Sequence, residues 1–142
     1  MKVLLSGIVI LVKDKKMIFT GYYAKLSQYK NLGLEPIAIS GKRPDFYDGL
    51  YYSEFAPRWE TFKKWKDKDI TNEGYAEEYR KYLDTLDKEE IKKDFKPYMN
   101  SPKNHVILLC YEKPSDFCHR HILAKWLFEN IGIEVAEYYV GG

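Results

Sequence analysis

The stretch that decides the fold is His105–Tyr138, HVILLCYEKPSDFCHRHILAKWLFENIGIEVAEY. Its first six residues, of which all but His105 are apolar, indicate a buried strand, which a short loop follows. The next segment, Phe117–Asn130, has apolar residues three and four positions apart and predicts a helix with Ser115 or Asp116 as its N-cap. A last strand is predicted over Ile133–Tyr138. A strand, a helix and a second strand form a βαβ unit, which predicts parallel neighbouring strands and places the chain in the α/β class.

The sequence before this unit predicts further strands. Val3–Val12 is an apolar run rich in β-branched residues, typical of a strand that is covered on both faces. Lys15 and Lys16 then predict a turn. Met17–Thr20 predicts a second extended segment, and Tyr22–Tyr29 predicts a short helix after it.

The remaining segments complete a single three-layer domain. Glu35–Ser40 predicts another buried strand. Pro57–Asn100 carries equal numbers of basic and acidic residues, with aromatic residues at helical spacing, and predicts amphipathic helices that pack on the sheet. Because no linker or repeat divides the chain, we expect residues 1–142 to form one α/β domain with a largely parallel sheet and helices on both faces.

Composition excludes several classes of protein. A chain of 142 residues with 45% hydrophobic residues is long enough to bury a core without disulfides or a structural metal. The formal net charge of only +2 disfavours a general nucleic-acid-coating protein. The 2 cysteines exclude a disulfide-rich secreted scaffold. Val3–Val12 is too short to span a membrane and lacks a cleavage site after it, so we expect no membrane association and a cytoplasmic location.

Residues whose side chains can react or bind a ligand lie near the predicted ends of two strands. In parallel sheets, ligands bind at the carboxyl ends of the strands, near helix N-termini, where unpaired N–H groups favour anions. The residues expected at this edge are Cys110, Glu112, Cys118, His119 and Arg120 from one side and Ser40, Lys42 and Arg43 from the other.

The segment LLCYEKPSDFCHRHILAKWL resembles the signature of the family called domain of unknown function 488. That signature is a strand ending in Cys-x-Glu, a short loop, and Cys-His-Arg at the start of a helix. The upstream stretch FTGYYAKLSQYKNLGLEPIAISGKRPDFYDGLYYSEFAPRWE is similar to a subgroup whose second strand ends in Ser and a basic loop. The resemblance covers about Met17–Tyr138 and implies an α/β domain with its site at these residues. It implies no particular reaction, and the segment Val3–Val12 is an addition to the family pattern.

The preferred functional hypothesis is a site for an anionic, phosphorylated or nucleotide-like small molecule, with catalysis as its sharper form. Cys118, at a helix N-terminus that stabilises a thiolate, is the candidate nucleophile, with His119 as proton shuttle and Cys110 as a further catalytic candidate. Arg120 and Lys42 are expected to hold anionic oxygens. The other candidate ligand-binding residues are Glu112, Ser40 and Arg43.

The same residues are also compatible with purely structural roles. Cys110 ends a strand, where cysteine often serves as a small apolar residue. His119 is compatible with a place at the edge of the core, and Arg120 with a salt bridge to Glu112. His121 also suits a surface or capping position.

Two alternative functions remain open. One is a metal or redox site at Cys110, Cys118 and His119, for which a reversible Cys110–Cys118 disulfide is geometrically possible. The spacing is not a familiar zinc pattern, and the preferred hypothesis assigns no metal ligand. The other is a non-catalytic module that binds protein or, less favoured, nucleic acid. The sequence leaves the cofactor and the oligomeric state unknown.

Overall fold

The computed structural model describes residues 2–5, 8–11, 18–99 and 105–140. The strands, in chain order, are β1 (Lys2–Leu5), β2 (Ile8–Leu11), β3 (Ile18–Tyr22), β4 (Glu35–Ala38), β5 (Leu50–Tyr51), β6 (Val106–Cys110) and β7 (Val135–Glu137). The helices are α1 (Leu26–Asn31), α2 (Trp59–Lys66), α3 (Asn72–Asp84), α4 (Lys88–Met99) and α5 (His119–Ile131). Single turns of 3-10 helix lie at Tyr23–Lys25 and Ser53–Phe55.

The main sheet has five strands in the order β5-β4-β6-β3-β7, and every pair within it is parallel. One face packs on α3, α4 and α5 around Leu108, Tyr79 and Leu123. The opposite face packs on α1 around Phe19, Tyr29 and Ile107. Successive residues of β6 point into different cores because side chains alternate along a strand. This arrangement confirms the predicted α/β class with helices on both faces.

The prediction of one strand over Val3–Val12 is wrong. The segment contains two strands, which pair antiparallel with Lys2 opposite Leu11 and form a sheet of their own. They flank Ser6 and Gly7, the small residues that interrupt the apolar run, and such residues favour a break between strands. The turn predicted at Lys15 and Lys16 lies outside the described residues.

The predicted βαβ unit is present, but its two strands are not neighbours. The strand β3 lies between β6 and β7, and its residue Ile18 is paired with Val106 on one side and with Val135 on the other. The segment predicted to begin at Met17 therefore occupies a central strand, covered on both faces. Its position follows from its burial, since Ile18 and Phe19 are almost fully inaccessible.

The helix after β6 begins later than predicted. Its N-cap is Cys118 in extended conformation, rather than Ser115 or Asp116. The residues before it form turns, with the Asp116 amide donating to the Lys113 carbonyl at 3.0 Å. Cys118 is consequently the residue at which the loop becomes helix. The helix ends at Ile131, one residue beyond the predicted end, and its C-cap is Gly132, whose φ of 79° lies in the left-handed region that glycine adopts without strain.

The outer edge of β4 is completed by a side chain. The Tyr47 hydroxyl accepts from the Ala38 amide at 3.1 Å and lies 3.2 Å from the Pro36 carbonyl. It also donates to the carbonyl of Leu50. Because β5 has only two residues, Tyr47 supplies the partner that a longer edge strand would otherwise provide.

Most aromatic rings of the middle segment belong to the core, as the helical spacing predicts. Tyr75 and Tyr79 on α3 are buried, and the Tyr79 hydroxyl donates to the Phe55 carbonyl. The indole N–H of Trp126 on α5 donates to Asp84 at the end of α3 at 2.8 Å, which joins the two helices. Within the described part of the chain, every helix is too short or too polar to cross a membrane.

Candidate functional site

The structure gathers the predicted residues at the carboxyl edge of the sheet. Cys110 is the last residue of β6, and the loop that follows returns the chain to Cys118 at the start of α5. Both sulfur-bearing side chains are buried, with Cys118 at 3% exposure. This geometry arises because β6 ends and α5 begins at the same edge, as in other parallel sheets.

Cys110 and Cys118 form a disulfide in this structure. Their Cα atoms lie 7.7 Å apart, and 8 positions separate them in sequence. The two candidate cysteines therefore form one sulfur pair, the arrangement that the redox alternative left open. Within the described residues, no cysteine is free.

His119 is held in one orientation and in one tautomer. Its Nε2 lies 2.8 Å from the carbonyl oxygen of Ile39, at the end of β4, and must therefore donate. Nδ1 is left with its lone pair, 3.9 Å from the Cys118 sulfur. Burial, together with the charge of Arg120, lowers the pKa of His119 to about 4, so the imidazole is neutral at pH 7. A neutral ring nitrogen next to a sulfur atom is suited to accept a proton or to bind a metal.

Arg120 is fully buried and most of its donors are engaged. Its Nε and Nη2 donate to the two carboxylate oxygens of Glu137 at 3.0 and 2.9 Å. Its Nη1 donates to the Glu112 carbonyl at 2.7 Å and to the Cys110 sulfur at 3.0 Å. The guanidinium therefore connects Glu137, the Glu112 backbone and Cys110, and one of its donors is directed at the Cys110 sulfur.

Glu137 is the residue of the site that the sequence analysis missed. It ends β7, and Thr20 of the neighbouring β3 also donates to its carboxylate at 2.7 Å. The suggested salt bridge between Arg120 and Glu112 is wrong, because the guanidinium contacts the backbone oxygen of Glu112 and pairs with Glu137 instead. The sequence did place a glutamate near the end of a predicted parallel strand, which could have marked it as a site residue. Its pairing with Arg120, however, depends on the order of the strands in the sheet.

The Glu112 carboxylate also lies close to the sulfur pair. Its Oε2 is 3.6 Å from the Cys110 sulfur, and the side chain is half-buried. Cys110 therefore has a guanidinium donor and a carboxylate oxygen as close neighbours. Two of the predicted residues, Arg120 and Glu112, are thereby placed around the same sulfur atom.

The basic loop after β4 forms the outer rim. The Tyr23 hydroxyl and the Ser40 hydroxyl are 2.6 Å apart, and Ser40 donates to the Lys42 carbonyl. Ser40 is therefore buried and committed to the loop's own structure. Lys42 and Arg43 are exposed, with the Arg43 guanidinium 3.9 Å from the centre of the Tyr51 ring. These two cations remain available to a ligand.

The donor set also fits a metal ion. The Cys110 and Cys118 sulfurs and a ring nitrogen of His119 all lie within 4.8 Å of one another. Two thiolates and an imidazole are ligands that zinc accepts, and a fourth position would be open to water or substrate. Metal binding would require the reduced form, because a disulfide offers no thiolate. His121, which follows Arg120, has a buried Nε2 without a hydrogen-bond partner among the described residues.

Comparison with protein families gives a specific result. The family model described as the active DUF488-N3 subclade, DUF488-N3a, matches residues 33–131. The chain belongs to this family. The matched region begins before β4 and ends at the last residue of α5, so it includes the sulfur pair, His119 and Arg120. Glu137 and β3 lie outside it. No curated protein and no solved structure matches the chain.

Proposed function

We propose that this DUF488-N3 domain is a cysteine-dependent enzyme that acts on a small anionic molecule of the phosphorylated or nucleotide-like class. Cys118 is the nucleophile, His119 the general base, and Cys110 the partner thiol. The observation that carries the proposal is the orientation of His119, whose Nε2 donates to Ile39 and leaves Nδ1 facing the Cys118 sulfur. A nucleophile, a base and a group that orients the base are the parts that nucleophilic catalysis needs.

The reduced form is the active form in this proposal. The Cys118 thiol gives its proton to Nδ1 of His119, and the thiolate attacks the electrophilic atom of the substrate. The imidazolium then returns that proton to the leaving group as its bond to the electrophilic atom breaks. Water next hydrolyses the Cys118 adduct, passing one proton through His119 to the departing Cys118 sulfur, which restores the thiol. Burial disfavours imidazolium, so the proton would be held only briefly and passed on readily.

Cys110 has a different role from Cys118. The Arg120 donor at 3.0 Å stabilises negative charge on the Cys110 sulfur. That makes Cys110 the better leaving thiolate when an external thiol reductant attacks the Cys118 sulfur and a second thiol completes the reduction. The disulfide would then be the resting or protected state, and the expected cytoplasmic, reducing compartment would keep the thiols available.

Lys42 and Arg43 are the residues that we propose bind the anionic part of the substrate. Arg120 was a candidate for this role, but its donors serve Glu137, Glu112 and Cys110. The exposed cations of the loop after β4 lie at the same sheet edge, because the Ile39 carbonyl just before them binds His119. Anion binding is thus assigned to the rim, and nucleophilic chemistry to the buried pair.

The test is the reactivity of each thiol in the fully reduced, folded protein. We expect alkylation of Cys118, read by peptide mass spectrometry across a pH series, to have a midpoint below the free-thiol value of about 8.5. His119→Gln should slow the alkylation of Cys118 at a given pH, because the neutral imidazole acts as a proton acceptor, and Cys110→Ser should leave Cys118 reactive. If both thiols react only after the protein unfolds, the nucleophile assignment is wrong.

The close approach of three potential metal ligands favours a second candidate function, a zinc-dependent site at Cys110, Cys118 and His119. The test is to reduce the protein without chelator, add zinc and remove the excess. One equivalent retained by the native protein, and lost in both Cys118→Ser and His119→Gln, would support this candidate. No retention would exclude it.

A further inference from the structure

We propose that a groove between α1 and the segment Pro44–Tyr47 binds the ring of a nucleoside monophosphate, and that Lys42 and Arg43 hold its phosphate. The inference rests on the proposed function for the ligand's charge. It adds the ring-binding site and a specific class of ligand.

The groove has the size of a small-ligand site. Its volume is about 370 Å³, within the range of pockets that hold nucleotide-sized molecules. Its lining residues are Tyr23, Ala24, Leu26, Ser27, Lys30 and Phe46. The lining therefore combines aromatic rings, a hydroxyl and a cation, which is the mixture that a ring with polar edges requires.

The exposed ring of Phe46 provides the stacking surface, and the buried ring of Tyr23 forms the wall beside it. Phe46 is 64% exposed although it is apolar, so its ring faces solvent in the free protein. Tyr23 is buried and fixed through its hydroxyl contact with Ser40 at 2.6 Å, so it is a rigid wall. All four nucleobases can stack on an exposed aromatic ring, because every base has a π face.

The groove lies beside the sulfur pair. Tyr23 follows β3 directly, and its ring meets the ring of Tyr111 edge to face at 4.9 Å. Tyr111 is the residue after Cys110 and is half exposed. A ligand with its ring on Phe46 and against the wall formed by Tyr23 would therefore extend toward the carboxyl edge of the sheet, where β6 ends.

The charge around the groove suits an anion. Lys30 lines it, and Lys42 and Arg43 lie in the loop that leads to Phe46. Asp45 is the one acidic residue between Gly41 and Tyr47. The Arg43 guanidinium is already ordered by its contact with Tyr51 at 3.9 Å, so binding costs it less side-chain entropy. A single phosphate, rather than a polynucleotide, fits a short groove on a chain whose net charge is only +2.

The experiment is isothermal titration calorimetry of the reduced, full-length protein. The probes are the 5′-monophosphates of adenosine, guanosine, cytidine and uridine, the four nucleosides, and inorganic phosphate. We expect at least one nucleotide to bind, with its nucleoside and inorganic phosphate each at least about tenfold weaker, since both contacts contribute. Absence of binding by all four nucleotides overturns the inference.

Substitutions separate the two contacts. Phe46→Ala should weaken the nucleotide at least about fivefold through lost stacking. Arg43→Ala combined with Lys42→Ala should weaken the nucleotide but leave the nucleoside unchanged. Phe128→Ala and Arg80→Ala are matched controls, because both side chains are exposed on other helices. Equal effects of Phe46→Ala and Phe128→Ala overturn the inference.

Two further measurements keep this inference separate from the proposed enzyme. Cys118→Ser should retain nucleotide binding, since the groove does not use the sulfur pair. If the wild-type protein binds no nucleotide but its Cys118 is alkylated as expected, the nucleotide-binding groove is wrong and the proposed enzyme is not affected. A single-stranded oligonucleotide that binds far more tightly than every mononucleotide would overturn the mononucleotide assignment and support a nucleic-acid module.

Discussion

Arg120 and Glu137 form a two-point ion pair between α5 and β7, with both carboxylate oxygens within 3.0 Å of guanidinium nitrogens. The Arg120 side chain has no solvent exposure, and that of Glu137 has 8%. A buried charge that loses its partner is strongly destabilising, whereas an exposed pair contributes little. The pair is therefore a buried polar link between α5 and the sheet whose loss on one side should be costly.

Glu137→Gln keeps the shape of the side chain and removes the countercharge. We expect the free energy of unfolding, measured with urea, to fall by about 3–5 kcal/mol. Asp67→Asn is the control, since it breaks the exposed pair with Lys63 and should cost less than about 1 kcal/mol. Similar stability of the two variants would show that Arg120 does not depend on Glu137.

The stability of the protein should depend on the protonation of His119. Its pKa is about 4 in the folded protein, against about 6.5 when unfolded. Between these values the unfolded state binds more protons, so stability is lost as the pH falls from 6.5 toward 4. We expect this residue to reduce the free energy of unfolding by about 2 kcal/mol at pH 5 relative to pH 7.

His119→Gln isolates that contribution. Glutamine can still donate to the Ile39 carbonyl but does not titrate. The difference in stability between pH 7 and pH 5 should therefore be smaller in the variant than in the wild type. An unchanged difference would mean that other groups cause the pH dependence.

Gly21 is required by close packing at the centre of the sheet. A Cβ atom there would lie 2.6 Å from the Tyr29 hydroxyl and 2.8 Å from Cδ1 of Ile107. We expect Gly21→Ala to destabilise the protein by about 1–3 kcal/mol, seen as a Tm lower by several degrees. At Gly41 no atom lies within 4 Å of the added Cβ, so Gly41→Ala should melt close to the wild type.

The contact between Trp126 and Asp84 should stabilise the packing of α5 on α3. Trp126 is 4% exposed, so Asp84→Ala leaves a buried indole N–H without its acceptor. We expect a loss of about 1–3 kcal/mol in the free energy of unfolding. Asp84→Asn retains an acceptor oxygen and should recover much of it, whereas equal losses would argue for a purely electrostatic role.

The local parts of the fold were predictable from sequence. The strand Val106–Cys110 and the helix after it carry strong apolar patterns, and their connection predicted the edge at which Cys110 and Cys118 meet. These features depend on neighbours within a few residues or on the rule for parallel sheets.

The long-range parts were not predictable. The contact between His119 and Ile39 spans 80 positions, and it fixes the tautomer on which the proposed chemistry depends. The pairing of Arg120 with Glu137 needed the knowledge that β3 separates β6 from β7. Periodicity describes which face is buried but does not give the order of strands.

The hydroxyl of Tyr47 has a consequence for how copies of this protein behave toward one another. An unpaired strand edge is a template on which a second chain can add its own strand and begin to aggregate. At β4 the hydroxyl occupies the Ala38 amide, and Pro36 has no amide to offer. One side chain thus closes this part of β4 to strand addition from another molecule, where β5 is only two residues long.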